Sequence, residues 1–292
     1  MSAARDDVRP RRSVLYMPGS NARALQKGKG LDADGLILDL EDAVAPDAKA
    51  VAREQVVEAV KAGGYGHRAL FVRTNALDTP WGHDDLRAAA TSGAHAVLLP
   101  KVESADAVRA ALRVLEAAGA PDDLDLWVMM ETPRGILRAE EIADAHPRLA
   151  GFVMGTSDLA KDLHAAHTPL RLPLLVGLGT ALLAARAAGL AILDGVYLDL
   201  GDAAGFEASC GQGVALGFDG KTLIHPKQLA AANAAFAPTE AAVARARKIV
   251  AAFQAAQAEG QGVVLVDGRL VENLHVVAAQ RMLALHDAIE AR

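Results

Sequence analysis

Short apolar runs of strand length alternate along this chain with longer alanine-rich amphipathic stretches. The runs cover residues 14–17, 35–40, 70–73, 96–100, 126–130, 152–154, 192–198 and 222–225. Between them lie stretches such as 47–62, 84–92, 105–118, 139–145, 179–189 and 206–217, which have helical composition. Apolar runs this short read as strands buried on both faces, and helices between them read as crossovers to parallel neighbours. Eight such strands, each followed by a helix-compatible segment, predict an α/β fold of the (β/α)8 TIM-barrel type. An open doubly wound sheet would carry a glycine fingerprint after its first strand. Here that strand ends in Met17-Pro18-Gly19-Ser20-Asn21, which lacks it. Gly177-Leu178-Gly179 imitates part of the fingerprint, but no third glycine follows and no strand precedes it.

The pattern continues past the barrel. A helical stretch runs from Pro238 to about residue 257, Gly260-Gln261-Gly262 breaks it, and a short strand at 263–266 turns at Asp267-Gly268-Arg269. A last helix spans 274–290. The expected organisation is a flexible N-terminal arm (1–12), a barrel domain (13–237) and a C-terminal helical extension (238–292). The extension exceeds what barrel closure needs, so it covers the barrel's own mouth or reaches an adjacent subunit.

Composition narrows the class. The chain has 292 residues, 52% hydrophobic and 23% charged, which suits one large core. Its net charge of -6 and the lack of a long basic stripe argue against nucleic acid. One cysteine, Cys210, forms no internal disulfide and suits a reducing cytoplasmic setting. The first 12 residues are polar and basic without an apolar core, unlike a secretory signal. Residues 172–193 are long and apolar enough to suggest a membrane span. Pro173, Arg186 and three glycines interrupt them, and they read instead as a buried helix leading into a strand.

The chemistry gathers where strands end. Glu131 follows the run 126–130, and Asp158 follows the run 152–154. Neighbouring parallel strands lie about 4.8 Å apart. Two carboxylates at adjacent strand ends can therefore share Mg²⁺, which is commonly held by one or two carboxylates with substrate and water. The plainer alternative is a pair of solvated loop acids. Barrel enzymes place their sites at the carboxyl ends of the strands. Those ends deliver Asp39, Glu41, Asp42, Arg73, Asn75, Lys101, Glu103, Glu131, Asp158 and His225. An arginine binds a carboxylate bidentately. The set therefore suits a small anionic substrate with an oxygen that a metal polarises.

Plainer readings compete. Arg73 also suits a counter-ion to Glu41 or Asp42, and Lys101 suits a partner for Glu103 or another wall acid. Asp39 and Asp42 are not separated by sequence. His225, before Pro226, reads as a cap. His164 and His167 have helical i, i+3 spacing, but they sit in a loop-like stretch before Pro169 and are set aside as metal ligands.

Several motifs occur together and in order. They are 12-RSVLYMPGSN-21, 38-LDLEDAV-44, 72-VRTN-75, 99-LPKVES-104, 131-ETP-133, 158-DLA-160 and 217-GFDGKTLIHP-226. With them the chain resembles the citrate lyase β-subunit-like (CitE-like) proteins of the HpcH/HpaI aldolase superfamily. The resemblance runs from roughly residue 11 to 285. It implies a TIM barrel, a Mg²⁺ cofactor and a homotrimer or a hexamer of two trimers. It implies carbon–carbon lyase chemistry on CoA thioesters of 3-hydroxy acids such as malyl-CoA or citramalyl-CoA, yielding a 2-oxo acid and an acyl-CoA. By position, Glu131 and Asp158 match the metal ligands, Glu131 adjoins the substrate, and Arg73 matches the substrate-binding arginine that stabilises enolate charge. Residues 267-DGRLVE-272 match a motif that usually ends in an aspartate reaching the active site of an adjacent subunit. Glu272 stands there as the candidate catalytic carboxylate, and Asp42 is a second one. The chain departs from the pattern at Glu272, one methylene longer, and at 172–180, which lacks a Tyr-Ala-Arg pattern. A malyl-CoA thioesterase, with water attacking the thioester, and a citrate lyase β subunit needing an acyl-carrier partner are the alternative functions. A non-catalytic metal-binding relative or an aldolase of free acids stands further off.

Overall fold

The computed structural model describes residues 8–292, so the first seven residues of the expected arm lie outside the described residues. The chain forms two compact units, one of Arg11–Phe236 and one uniting residues 8–10 with Ala237–Arg292.

The first unit is a closed parallel barrel. Its strands are β1 (Ser13–Pro18), β2 (Gly35–Asp39), β3 (Ala69–Arg73), β4 (Ala96–Leu99), β5 (Asp125–Met130), β6 (Leu149–Met154), β7 (Ala191–Asp194) and β8 (Gly220–Leu223). Each pairs with the next, and β8 closes on β1. Alternate residues divide between two cores, as the two-residue strand period requires. Val14, Ile37, Phe71, Leu98, Trp127, Met129, Val153 and Leu193 fill the interior. Leu15, Leu36, Leu38, Val72, Val97, Val128 and Met130 pack outward among helix residues such as Val56, Leu86, Val108 and Leu178. Burial on both faces explains why the strands read as unbroken apolar runs. Phe71 and Trp127 meet edge to face at 5.2 Å in the interior. Gly151 leaves space for that indole, because a Cβ there would sit 2.5 Å from the Trp127 ring.

The structure corrects several expected boundaries. The strand expected at 192–198 ends at Asp194. The Asp194 carboxylate is fully buried, accepts from Arg171 (2.6 Å) and Lys221 (2.8 Å), and also takes the Gly195 N–H. The chain turns there, and Val196 and Leu198 become loop. The strand expected at 222–225 lies at Gly220–Leu223. Gly220 allows this register, since a Cβ there would meet the Arg11 carbonyl oxygen at 1.7 Å. Arg12, expected in the mobile arm, is 8% exposed, and its guanidinium grips Asp34 at 2.8 and 3.0 Å. A helix at Ala22–Gly28, capped by the Asn21 side chain, was not expected. The apolar stretch at 172–193 contains the helix Leu175–Ala187, buried along Leu178, Ala181 and Ala185 but with Val176 and Leu183 exposed. Among the described residues no helix is long and apolar enough to cross a membrane.

The second unit holds helix Glu240–Ala258, the hairpin β9 (Val264–Val266) and β10 (Arg269–Val271), and helix Asn273–Glu290. Asp267 and Gly268 both have positive φ at the hairpin turn (49° and 74°), the signature of a type I′ turn. Phe253, Val266, Val271 and Val276 form its core.

Candidate active site

The interior-facing strand positions carry on into the site. Two residues beyond Val14, Ile37, Phe71 and Met129 stand Tyr16, Asp39, Arg73 and Glu131. The strand period therefore turns these side chains into the barrel at its carboxyl end. They line a cavity of about 370 Å³ together with Asp42 and Asp158. Its other wall is apolar, with Met154, Val196, Leu198 and Ile224.

Arg73 organises the polar wall. Its Nε and Nη2 each donate to Asp39 at 2.6 Å. Its Nη1 lies 2.8 Å from Glu41 and 3.4 Å from Asp42. The guanidinium also lies over the Tyr16 ring, 4.9 Å from its centroid. Burial opposes the charge of Arg73, but Asp39, Tyr16 and Glu41 more than compensate and raise its pKa. Burial pushes Glu41 up to about 7, with Arg73 pulling it down and Glu131 pushing it up. The structure thus separates two acids that sequence left equivalent. Asp39 is buried beneath Arg73, while the Asp42 side chain is 66% exposed at the rim.

The loop after β2 is braced from behind. The Asp39 carboxylate accepts the Glu41 and Ala43 N–H groups. Lys49, only 6% exposed, donates to the carbonyls of Leu40 and Glu41 and to Asn75 Oδ1, all within 2.9 Å. Asn75 in turn donates to Leu40 O and to Asp85. Lys49, Asp85 and Tyr16 were not singled out in the sequence.

Lys101 joins the remaining acids. It adopts a left-handed backbone (φ 51°), and its N–H donates to Glu131 Oε1 at 2.7 Å. Its ammonium reaches Asp158 and lies 3.5 Å from Glu41, whereas Glu103 pairs with Arg134 instead. Burial raises the pKa of Glu131, and Lys101 opposes the rise. For Asp158 the desolvation cost is outweighed by the hydrogen bonds and charges of Lys101 and Lys161 together, and its pKa falls. Asp158 lies in the first turn of the short helix Thr156–Asp162 rather than in a loop. His225 accepts the Lys227 N–H at Nδ1 and caps a 3-10 turn, while His164 is exposed.

The donor set suits Mg²⁺. Among the described residues, Asp39, Glu41, Asp42 and Asp158 form ion pairs with Arg73, Lys101 and the exposed Lys161, Glu131 accepts the Lys101 N–H, and Lys49 adds a cation behind the β2 loop. Three of the acids cluster on Arg73. Glu131 and Asp158 stand apart from Arg73 as hard oxygen donors, the kind Mg²⁺ prefers. Among the described residues no group of three or more His, Cys, Asp or Glu could hold a metal. Mg²⁺ is commonly held by one or two carboxylates completed by water and substrate, a number that Glu131 and Asp158 match.

Gly155 makes the pair possible. A Cβ there would lie 2.4 Å from both Cβ and Oε2 of Glu131. Gly155→Ala should therefore displace the Glu131 carboxylate and weaken Mg²⁺ binding at least roughly tenfold, equivalent to about 1.4 kcal/mol. Titration calorimetry with Mg²⁺ checks this, and unchanged affinity would show that the site tolerates the shift.

Glu272 lies in the second unit. It precedes helix Asn273–Glu290, and its N–H donates to His275 Nδ1 at 3.0 Å.

The model of the HpcH/HpaI aldolase/citrate lyase family matches residues 12–226. The chain is 54% identical over 282 residues to a (3S)-malyl-CoA thioesterase of Cereibacter sphaeroides, covering 97% of this chain and 96% of that protein. It is 36% identical over 308 residues to an L-malyl-CoA/beta-methylmalyl-CoA lyase of the same species, covering 97% of each. Its fold matches the crystal structure of CitE from Mycobacterium tuberculosis in complex with magnesium, acetoacetate and coenzyme A. That match has a TM-score of 0.76 and 30% identity, and it covers 94% of this chain and 97% of that one.

Proposed function

Because the chain belongs to the HpcH/HpaI aldolase/citrate lyase family, we propose that it hydrolyses the CoA thioester of a malyl-type 3-hydroxy dicarboxylic acid. The observation that carries this reading is the 54% identity to a malyl-CoA thioesterase along nearly the whole chain. The cavity suits such a substrate, with Arg73 and carboxylates on one wall for the small acid and apolar side chains on the other for an acyl or thioester segment. Glu131 and Asp158 would hold Mg²⁺, which supplies Lewis-acid polarisation of a substrate oxygen when bound. Arg73 faces the same cavity and steadies negative charge that develops on the substrate. A carboxylate takes a proton from water as the water oxygen bonds to the thioester carbon. The carbon–sulfur bond then breaks, and the sulfur leaves as the CoA thiol once protonated.

A second reading is the retro-Claisen lyase. It draws on the family and on the similarity to a malyl-CoA lyase. There the proton leaves the substrate hydroxyl, the carbon–carbon bond breaks, and the thioester enolate is protonated. Incubation with malyl-CoA and citramalyl-CoA stereoisomers separates the two readings. Hydroxy diacid and free CoA support hydrolysis, whereas a 2-oxo acid and an acyl-CoA identify the lyase. No turnover of any of these with Mg²⁺ would overturn both.

We assign the proton-accepting carboxylate to Glu272, supplied by an adjacent protomer of a homotrimer, with Asp42 at the rim as the competing candidate. Glu272→Ala should fold and assemble yet lose turnover at least roughly tenfold. Co-refolding it with a Glu131→Ala chain pairs an intact metal site with an intact Glu272 in some assemblies, so activity should return. Confirmed mixed assembly without recovery would place the acid within its own chain or outside the reaction.

A further inference from the structure

Tyr16 is an interior-facing residue of β1, and it lines the cavity described above beside Arg73, Met129 and Glu131. Its ring and its hydroxyl have different surroundings. The ring carries the Arg73 guanidinium, which is reason enough for an aromatic residue at this position. The hydroxyl does not serve that contact. It meets Met129 Sδ at 3.5 Å, and a thioether sulfur is a weak acceptor. The nearby carboxylates are engaged elsewhere, with Asp39, Glu41 and Asp42 on Arg73 and with Glu131 and Asp158 on Lys101. The paired face of Arg73 is likewise turned to Asp39. An anion entering the cavity therefore finds Arg73 largely committed and the Tyr16 hydroxyl weakly held. Burial keeps the phenol neutral, Arg73 opposes that effect, and Glu131, Asp39 and Glu41 reinforce it. The neutral hydroxyl, held only by a weak sulfur acceptor, is placed to act as a hydrogen-bond donor.

We propose that Tyr16 is a catalytic residue whose hydroxyl exchanges its contact with Met129 Sδ for a hydrogen bond to an oxygen of the bound acyl thioester. The inference rests on the malyl-type thioester reading above and adds a second, uncharged donor beside Arg73. A neutral donor suits this place. It stabilises a charged oxygen without adding another cation to the carboxylate cluster, and an oxygen made more negative in the transition state strengthens the bond as the reaction proceeds.

The test compares wild type, Tyr16→Phe and Tyr16→Leu with malyl-CoA and Mg²⁺. Phe keeps the platform beneath Arg73 and removes only the hydroxyl, whereas Leu removes both. The expected result is a fall in kcat/KM of at least roughly tenfold for Phe, with Mg²⁺ affinity by calorimetry within about twofold of wild type and a further fall for Leu. A Phe variant with kcat/KM within about twofold of wild type overturns the proposal and leaves the ring as a platform alone. A Phe variant that fails to fold, or that loses Mg²⁺ affinity along with activity, also overturns it, because the hydroxyl would then be structural. If wild type turns over no thioester of this class, the functional reading fails and the assignment of Tyr16 falls with it. An active wild type with an unaffected Phe variant refutes Tyr16 alone.

Discussion

Glu131→Ala and Asp158→Ala should each reduce Mg²⁺-dependent turnover by at least roughly a thousandfold, about 4 kcal/mol of transition-state stabilisation, without unfolding the barrel. The two acids differ in burial, so the reasons for surviving substitution differ. Glu131 is 2% exposed, and burial already disfavours its charged form. Removing it relieves that cost while leaving the partly buried Lys101 N–H without its acceptor, a loss of about 1 kcal/mol. Asp158 is more exposed and sits at a helix start, where its removal chiefly frees the Lys101 ammonium. Neither side chain belongs to the apolar layers that hold the strands together. Thermal unfolding should therefore stay cooperative while Mg²⁺ titration loses its saturable heat. Either variant retaining full activity at low Mg²⁺ would be removed from the ligand set.

The barrel was legible because its strands are buried on both faces and its crossovers are helical, which yields apolar runs separated by amphipathic ones. The reading faltered where charge is buried. Asp194 and Lys221 lie inside the barrel wall, paired across β7 and β8 and joined by Arg171 from a distant loop. No local pattern reports such pairings, so the ends of β7 and β8 were misplaced. The site was legible in the same uneven way. Glu131, Asp158 and Arg73 were visible as polar residues at strand ends, and the structure brings them to one cavity. The distinction between Asp39 and Asp42 was available too. Counting in twos from Ile37 turns Asp39 inward and leaves Asp42 beyond the strand. Lys49 offered no such signal. At the start of a helix it reads as a solvated charge, and only the folded loop shows three acceptors converging on it.

Arg73 is the most sensitive cation in this arrangement. Arg73→Met should cost roughly a hundredfold to a thousandfold in kcat/KM, the scale for losing one preorganised charge-stabilising donor. Its stability should drop by about 3–5 kcal/mol, since removal strands the buried Asp39 carboxylate without its partner. Arg73→Lys separates the two roles. It keeps the charge but cannot make two parallel N–H bonds to Asp39 at 2.6 Å while also spanning Glu41 and Asp42. The β2 loop should recover most of its stability in the Lys variant, because one ammonium still neutralises the cluster. Turnover should not recover, staying at least roughly tenfold below wild type, as a substrate oxygen depends on where the donor points. Unfolding curves and steady-state kinetics on the same two variants provide the measurement. A Lys variant restored in both stability and kcat/KM would reduce Arg73 to a counter-ion for the acids of the β2 loop.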